Sequence, residues 1–269
     1  MNKPLIVAVL AVALAGCGAE IGRVEWPVMG TVAAVQIRGN GDIRAARDVC
    51  QAEFNRVVES FNAHDPSSRI GRFASMSDDE AQKAWESWEW ECVQAALRFR
   101  DESGGAFNPR WRGPSTLDLG AIAKGFAVDL AAEAVASKDA GGADILVDLG
   151  GNLKSVRGVW RVGVKEPEGE GFVASVKLAP GEALATSAEY YRGKHIYDGR
   201  TGRPAESGVK SVTVLCRSGM LADGLSTTLF ILGPDEGLRL MEKHGYECSV
   251  LFIMNDGRRV CNDARFSRD

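Results

Sequence analysis

Between positions 24 and 39 the chain reads VEWPVMGTVAAVQIRG, β-formers in partial alternation that run into a Gly-Asn-Gly sequence. That pattern predicts a strand or one arm of a hairpin. From Asp42 to Ser60 the period changes, with Ile43, Ala46, Val49, Ala52 and Val57 at helical spacing. After a polar loop, NAHDPSSRIGR, Ser77 and Glu80 make a capping-box start. Trp85, Trp88, Cys92, Ala95, Ala96 and Phe99 then fall on one face of a single helix that ends before SGG. Aromatic residues at that spacing are read as packing. Ile122, Phe126, Leu130, Ala134 and Val135 carry another helix to about Ser137. Short β runs follow at 144–152, 160–167, 172–180 and 209–216, then helices over 218–232 and 234–244 and a last strand, CSVLFIM. Strands and helices in blocks, with meanders rather than strict βαβ alternation and no internal repeat of about 20–50 residues, predict an α+β fold.

The start of the chain departs from this pattern. MNKPLIVAVLAVALAGCG holds one lysine, an apolar run from Leu5 to Ala15 and small residues before Cys17. That run is too short for a bilayer, which takes about 20 residues, but it suits the core of a secretory signal. LAGC at 14–17 resembles the lipobox of bacterial lipoproteins, so residues 1–17 are expected to be a signal peptide ending at a lipidated Cys17. Residues 18–269 then form one domain held outside the cytoplasm on a membrane. A formal charge of −4, from 32 basic and 36 acidic residues, provides no basic excess for nucleic acid. Of the six cysteines, the five beyond Cys17 have neither CxxC nor zinc-ligand spacing. An oxidising compartment permits a disulfide among them, and the spacing does not select the pair.

Three stretches carry candidate chemistry. In TLDLGAIAKGFAVDL (116–130), Lys124 stands where a helix begins, against the positive end of the helix dipole, so a negative group is expected opposite it. Phe126 and Ala127 occupy the positions at which a P-loop needs GK[ST], and LVDLGGN does not give GxGxxG, so neither a Walker-type nor a Rossmann site is present. Asp118, the backbone at Gly120 and Ala121, and Lys124 suit a pyrophosphate together with a divalent metal. In LADGLSTTLF, Asp223 and Thr227 share one helix face flanked by Leu221, Leu225 and Leu229. An acid in such a helix costs free energy unless it is paired or bound to metal, and a few hard oxygens are what magnesium prefers. The third stretch, ATSAEYYRGKHIYDGRTGRP (185–204), offers hydroxyls at Thr186 and Ser187 and one of only three histidines, His195.

In this order and wording, LDLGAIAKGFAVD, LVDLGGN, WRVGVKEP, ATSAEYYR, HIYDGRTGRP and LADGLSTTLFILG resemble the ApbE family of FAD:protein FMN transferases, from VMGT at 28–31 to the C-terminus. The resemblance implies T-fold-like mixed sheets with packed helices. It implies Mg2+-dependent transfer of FMN from FAD to a Thr or Ser hydroxyl of an acceptor redox protein with an FMN-binding module, releasing AMP. The two alternatives are a FAD pyrophosphatase and a non-catalytic FAD-binding lipoprotein. By the same resemblance the metal is held by Asp223, Thr227 and the Ala121 carbonyl. Met29, His64, the segment Ala106, Phe107 and Asn108, together with Asp118, Lys124 and Tyr197, surround the flavin dinucleotide. Lys124 and Asp223 are assigned to catalysis, with His195 as the group that accepts or orients the hydroxyl proton. The chain departs from the family in nearly lacking the insert before TLDLG, in carrying His64 and Asn108 where an aromatic residue and Asp are usual, and in carrying Ser226 where an acid is common.

Overall fold

Alternation along the strands divides their side chains between two cores. Ala33, Val35 and Ile37 with Ile145, Val147 and Leu149 face one core, while Leu146, Leu153, Leu184, Leu215, Leu251 and Ile253 face the other. A sheet buried on both sides has no polar face, which is why segments such as DILVDL read as nearly continuous apolar runs. A computed structural model describes residues 21–73, 75–138, 142–167, 169–189 and 195–267. Cys17 and the expected signal segment lie outside the described residues.

The main sheet has eight antiparallel strands: β1 (Ile21–Val28), β2 (Thr31–Arg38), β3 (Asp144–Leu149), β4 (Asn152–Arg157), β7 (Ala183–Ala188), β10 (Val209–Cys216), β11 (Ser249–Met254) and β12 (Arg259–Cys261), in that spatial order. Helices α1 (Ile43–Phe61), α4 (Ser87–Glu102), α5 (Ala123–Lys138) and α6 (Gly219–His244) supply most of the first core. The hairpin of β5 (Trp160–Lys165) and β6 (Phe172–Leu178) closes the second, with Trp160 fully buried. Two short helices, α2 (Arg69–Phe73) and α3 (Asp78–Ala84), and the ribbon of β8 (Tyr197–Asp198) with β9 (Arg203–Pro204) complete the elements. The architecture is α+β, as the blocks of periodicity predict. Among the described residues no helix is long and apolar enough to cross a membrane.

Several boundaries differ from the expected ones. The 24–39 run is a complete hairpin, because the chain turns at Met29 and Gly30, both at positive φ (51° and 66°). The single helix expected after Ser77 is two, α3 and α4, broken at Trp85–Glu86. There Glu86 is extended and shares a reciprocal capping box with Glu89. Buried Glu89 also pairs with Arg69 at 2.7 Å and accepts from Ser60 at 2.5 Å, so the break is held by tertiary contacts. The helices expected at 218–232 and 234–244 meet at Gly233 (φ 75°), and Pro234 follows the kink. β4, β7 and β12 were not expected as separate strands. Cys216 and Cys248 form a disulfide between the ends of β10 and β11. Cys50 and Cys92 are buried free thiols, and burial pushes the Cys50 thiol up to about 12.

Candidate active site

A cavity of about 1020 Å³ opens where the β1–β2 turn, the end of α1, the loop 107–112, the start of α5, the β3–β4 turn, the end of β7 and α6 converge. Its lining includes Met29, His64, Phe107, Asn108, Asp118, Ala121, Lys124, His195, Tyr197, Asp223 and Thr227. These sequence-predicted residues are thus gathered from six separate segments. Ala106 is the exception: it is fully buried behind this wall, where its carbonyl accepts from the Gly199 amide at 2.9 Å and ties β8–β9 to the loop.

The negative group expected opposite Lys124 is Asp223. The Lys124 Nζ lies 3.5 Å from each carboxylate oxygen, and the Gly125 amide donates to Asp223 Oδ2 at 2.9 Å. Asp223 is 4% exposed. Burial raises its pKa, while the Lys124 charge and the Gly125 amide act in the opposite direction.

Close helix contact produces this pairing. A Cβ on Gly125 would stand 2.1 Å from the Gly219 carbonyl oxygen and 2.7 Å from Asp223 Cβ, so glycine here lets α5 and α6 touch backbone to backbone. One turn further along α5, the Asp129 carboxylate accepts from Ser218 Oγ (2.8 Å), Gly219 N (2.8 Å) and Met220 N (3.0 Å), the first amides of α6. Lys154 of β4 pairs with Asp129 at 2.9 Å. A carboxylate on these otherwise orphaned amides satisfies the helix end and complements its dipole. Asp129 and Lys154 were not singled out from the sequence. Asp129 lies four residues beyond Gly125 on the same face of α5, and that spacing was the available signal.

The opposite wall is made of loops. Asp118 Oδ1 accepts from the Gly120 amide at 2.9 Å and shapes the turn that presents Ala121, with Arg112 3.8 Å from its other oxygen. Asn108 Oδ1 accepts from Arg110 N at 2.9 Å. Tyr197 stacks on Trp111 with centroids 4.4 Å apart at 14°, and the Arg112 guanidinium lies 4.7 Å from the Trp111 ring centroid. Trp111 was not singled out, although it stands three residues after Asn108, because nothing in its local spacing pairs it with Tyr197. His64 and His195 are exposed at the rim.

The β3–β4 turn completes the cavity. Gly150 packs on Thr31, where a Cβ would come within 2.5 Å of the hydroxyl oxygen, and the Gly151 amide donates to Asp148 Oδ1 at 2.9 Å. Asp148 is buried, and desolvation pushes its pKa up to about 7 from 3.8 against the pull of the Gly151 amide and of Arg23.

Asp223 with Thr227 and the Ala121 backbone presents hard oxygens only. Among the described residues no three His, Cys, Asp or Glu side chains gather as a metal cluster. One carboxylate beside neutral oxygens, with room for water and phosphate, fits magnesium better than zinc or copper.

The family model described as "ApbE family" matches residues 29–114 and 110–252. The FAD:protein FMN transferase of Rhodobacter capsulatus is 39% identical over 153 residues, covering 52% of this chain and 28% of that protein. The FAD:protein FMN transferase of Vibrio cholerae serotype O1 is 33% identical over 156 residues, covering 52% of this chain and 46% of that protein. This chain therefore spans less than half the length of these curated relatives. The crystal structure of the ApbE protein from Thermotoga maritima superposes with a TM-score of 0.77 at 22% identity, over 90% of this chain and 96% of that one, a likeness of fold.

Proposed function

The chain belongs to the ApbE family, and from that premise we propose that it moves FMN from FAD to a hydroxyl of an acceptor protein and releases AMP. The observation that carries this reading is the convergence of Lys124, Asp223 and Thr227 in one cavity of a size suited to a dinucleotide. The names of the matching relatives support the same reaction class.

Asp223, Thr227 and the Ala121 carbonyl are the residues that would hold magnesium, which when bound neutralises phosphate charge and withdraws electrons from phosphorus. Lys124 neutralises the charge that builds on the pyrophosphate as its bridge breaks. The acceptor's oxygen bonds to the FMN-side phosphorus, the bridging P–O bond breaks, and AMP leaves with the electron pair. His195, exposed at the rim, takes or orients the acceptor's proton. Met29, His64, Phe107, Asn108, Asp118 and Tyr197 line the space for the flavin dinucleotide, and Ala106 supports it from behind.

The reading extends to place. The lipobox-like LAGC and the Cys216–Cys248 disulfide support an extracytoplasmic domain anchored through lipid on Cys17. The acceptor is then an extracytoplasmic or membrane redox subunit with an FMN-binding module.

The test is to incubate the protein with FAD and Mg2+, with and without a threonine-bearing acceptor domain, following AMP and acceptor mass. AMP together with an acceptor heavier by FMN establishes transfer. AMP without an adduct turns the assignment to a FAD pyrophosphatase, and tight FAD binding without AMP turns it to a binding lipoprotein.

A further inference from the structure

Three hydroxyls on β7 and α6 form a chain whose direction is fixed at one end. Ser226 Oγ is 2.9 Å from the Asp223 carbonyl oxygen, and a carbonyl only accepts, so the single Ser226 proton is committed there. Ser226 Oγ is also 2.8 Å from Ser187 Oγ, so in that bond Ser187 is the donor. Ser187 has then spent its own proton, and its 3.0 Å contact with Thr227 Oγ1 requires Thr227 to donate. Ser226 is fully buried and has no water as an alternative partner, while Ser187, 9% exposed, lies at the edge of the cavity. Thr227, half-buried and lining the cavity, keeps two lone pairs and has no proton to offer the cavity.

We propose that Ser187 and Ser226 are positioning residues that hold the Thr227 hydroxyl as an acceptor only, so that it presents lone pairs to a divalent cation. The inference rests on the cation reading above and goes beyond it by assigning a role to two residues outside the set that would hold the ion. It also gives Ser226, which stands where an acid is common in the family, a function that needs no charge. Without the chain, the Thr227 proton is free to turn into the cavity, where it opposes a cation.

Mn2+ alone serves as probe, with free ion read by electron paramagnetic resonance on the flavin-free protein. Groups that orient a metal ligand are worth about 10–100-fold in affinity. Ser187→Ala and Ser226→Ala are each expected to weaken Mn2+ binding about tenfold. The double variant should be no weaker than either single one, because cutting the chain at either link frees the same proton. Melting temperatures should fall by a few degrees, the cost of about one buried hydrogen bond, so affinity is read well below the transition, where every variant is folded. Parent-like Mn2+ affinity in Ser226→Ala, with affinity lost in Thr227→Ala, overturns the chain. Losses that multiply in the double variant overturn its one-way direction. Unchanged affinity in Thr227→Ala removes the cation reading itself, and this inference with it.

Discussion

The two walls of the cavity are built differently. On one side, the N-terminal ends of α5 and α6 touch through Gly125 and Gly219, are tied by Asp129, and bury Asp223 to 4% exposure. On the other, loops carry half-exposed or exposed groups: His64, Trp111, Arg112, His195 and Tyr197. The helical wall holds the side chains assigned to phosphate and metal, and the loop wall holds those assigned to flavin and acceptor, together with the Ala121 carbonyl. Chemistry that depends on sub-ångström placement needs a rigid support, whereas recognition tolerates variation on loops. Substitutions in the two walls should therefore fail in different ways.

The largest effect is expected from Asp223→Ala. AMP release should fall by about 10²–10³-fold, the scale for removing a group that stabilises transition-state charge. Retained activity at limiting Mg2+ would refute its place in the metal site. Next comes Gly125→Ala, whose added carbon cannot avoid the Gly219 carbonyl. Forced separation of two packed helices should cost about 3 kcal/mol, read as a lower urea midpoint, with activity lost in parallel. Asp129→Ala removes three hydrogen bonds and leaves Lys154 without its carboxylate. A loss of about 2 kcal/mol is expected, with kcat reduced more than KM for FAD, because Asp223 shifts with the end of α6.

Asp148 gives the comparison a pH dimension. Its folded pKa, about 7, is raised above the 3.8 of an ordinary aspartate. The native state therefore holds this proton more tightly than the unfolded chain does. The contribution is fully present below about pH 4 and is lost as pH rises towards 7. Urea unfolding at pH 5 and pH 7.5 should show stability falling over this window, and Asp148→Asn should flatten that fall. An unchanged slope in the variant would assign the dependence elsewhere. Glu182 and Asp198, partly exposed and ion-paired, have lowered pKa values, so their losses come in a more acidic range.

The smallest effect belongs to the loop wall. Trp111→Ala removes one ring of the stacked pair, worth about 1 kcal/mol, or roughly fivefold in FAD affinity. Stability and kcat should hardly move. A large loss of kcat would mean that this wall is as tightly coupled to the chemistry as the other.

Much of this was legible in the chain. Period changes located the major helices and several strands, and Lys124 at a helix start correctly demanded a negative partner. The hairpin turn was hidden because Met29 at positive φ carries none of the usual turn signal. The split between α3 and α4 was hidden because it rests on Glu89, Arg69 and Ser60, which lie far apart in sequence. Asp129 escaped notice because an acid on an alanine-rich helix looks like a solvated one until the end of another helix is found on top of it.

By itself the sequence determined the major helices, several strands and the α+β class, because periodicity and local backbone preference act over a few neighbours. Only the tertiary structure decided that Asp223 faces Lys124 across 99 positions, that Cys216 pairs with Cys248, and that the hydroxyls of Ser187, Ser226 and Thr227 come within hydrogen-bond distance of one another. Those are contacts between groups distant in the chain. Their directions depend on which donor and acceptor the packing leaves as neighbours, and one-dimensional spacing does not encode that.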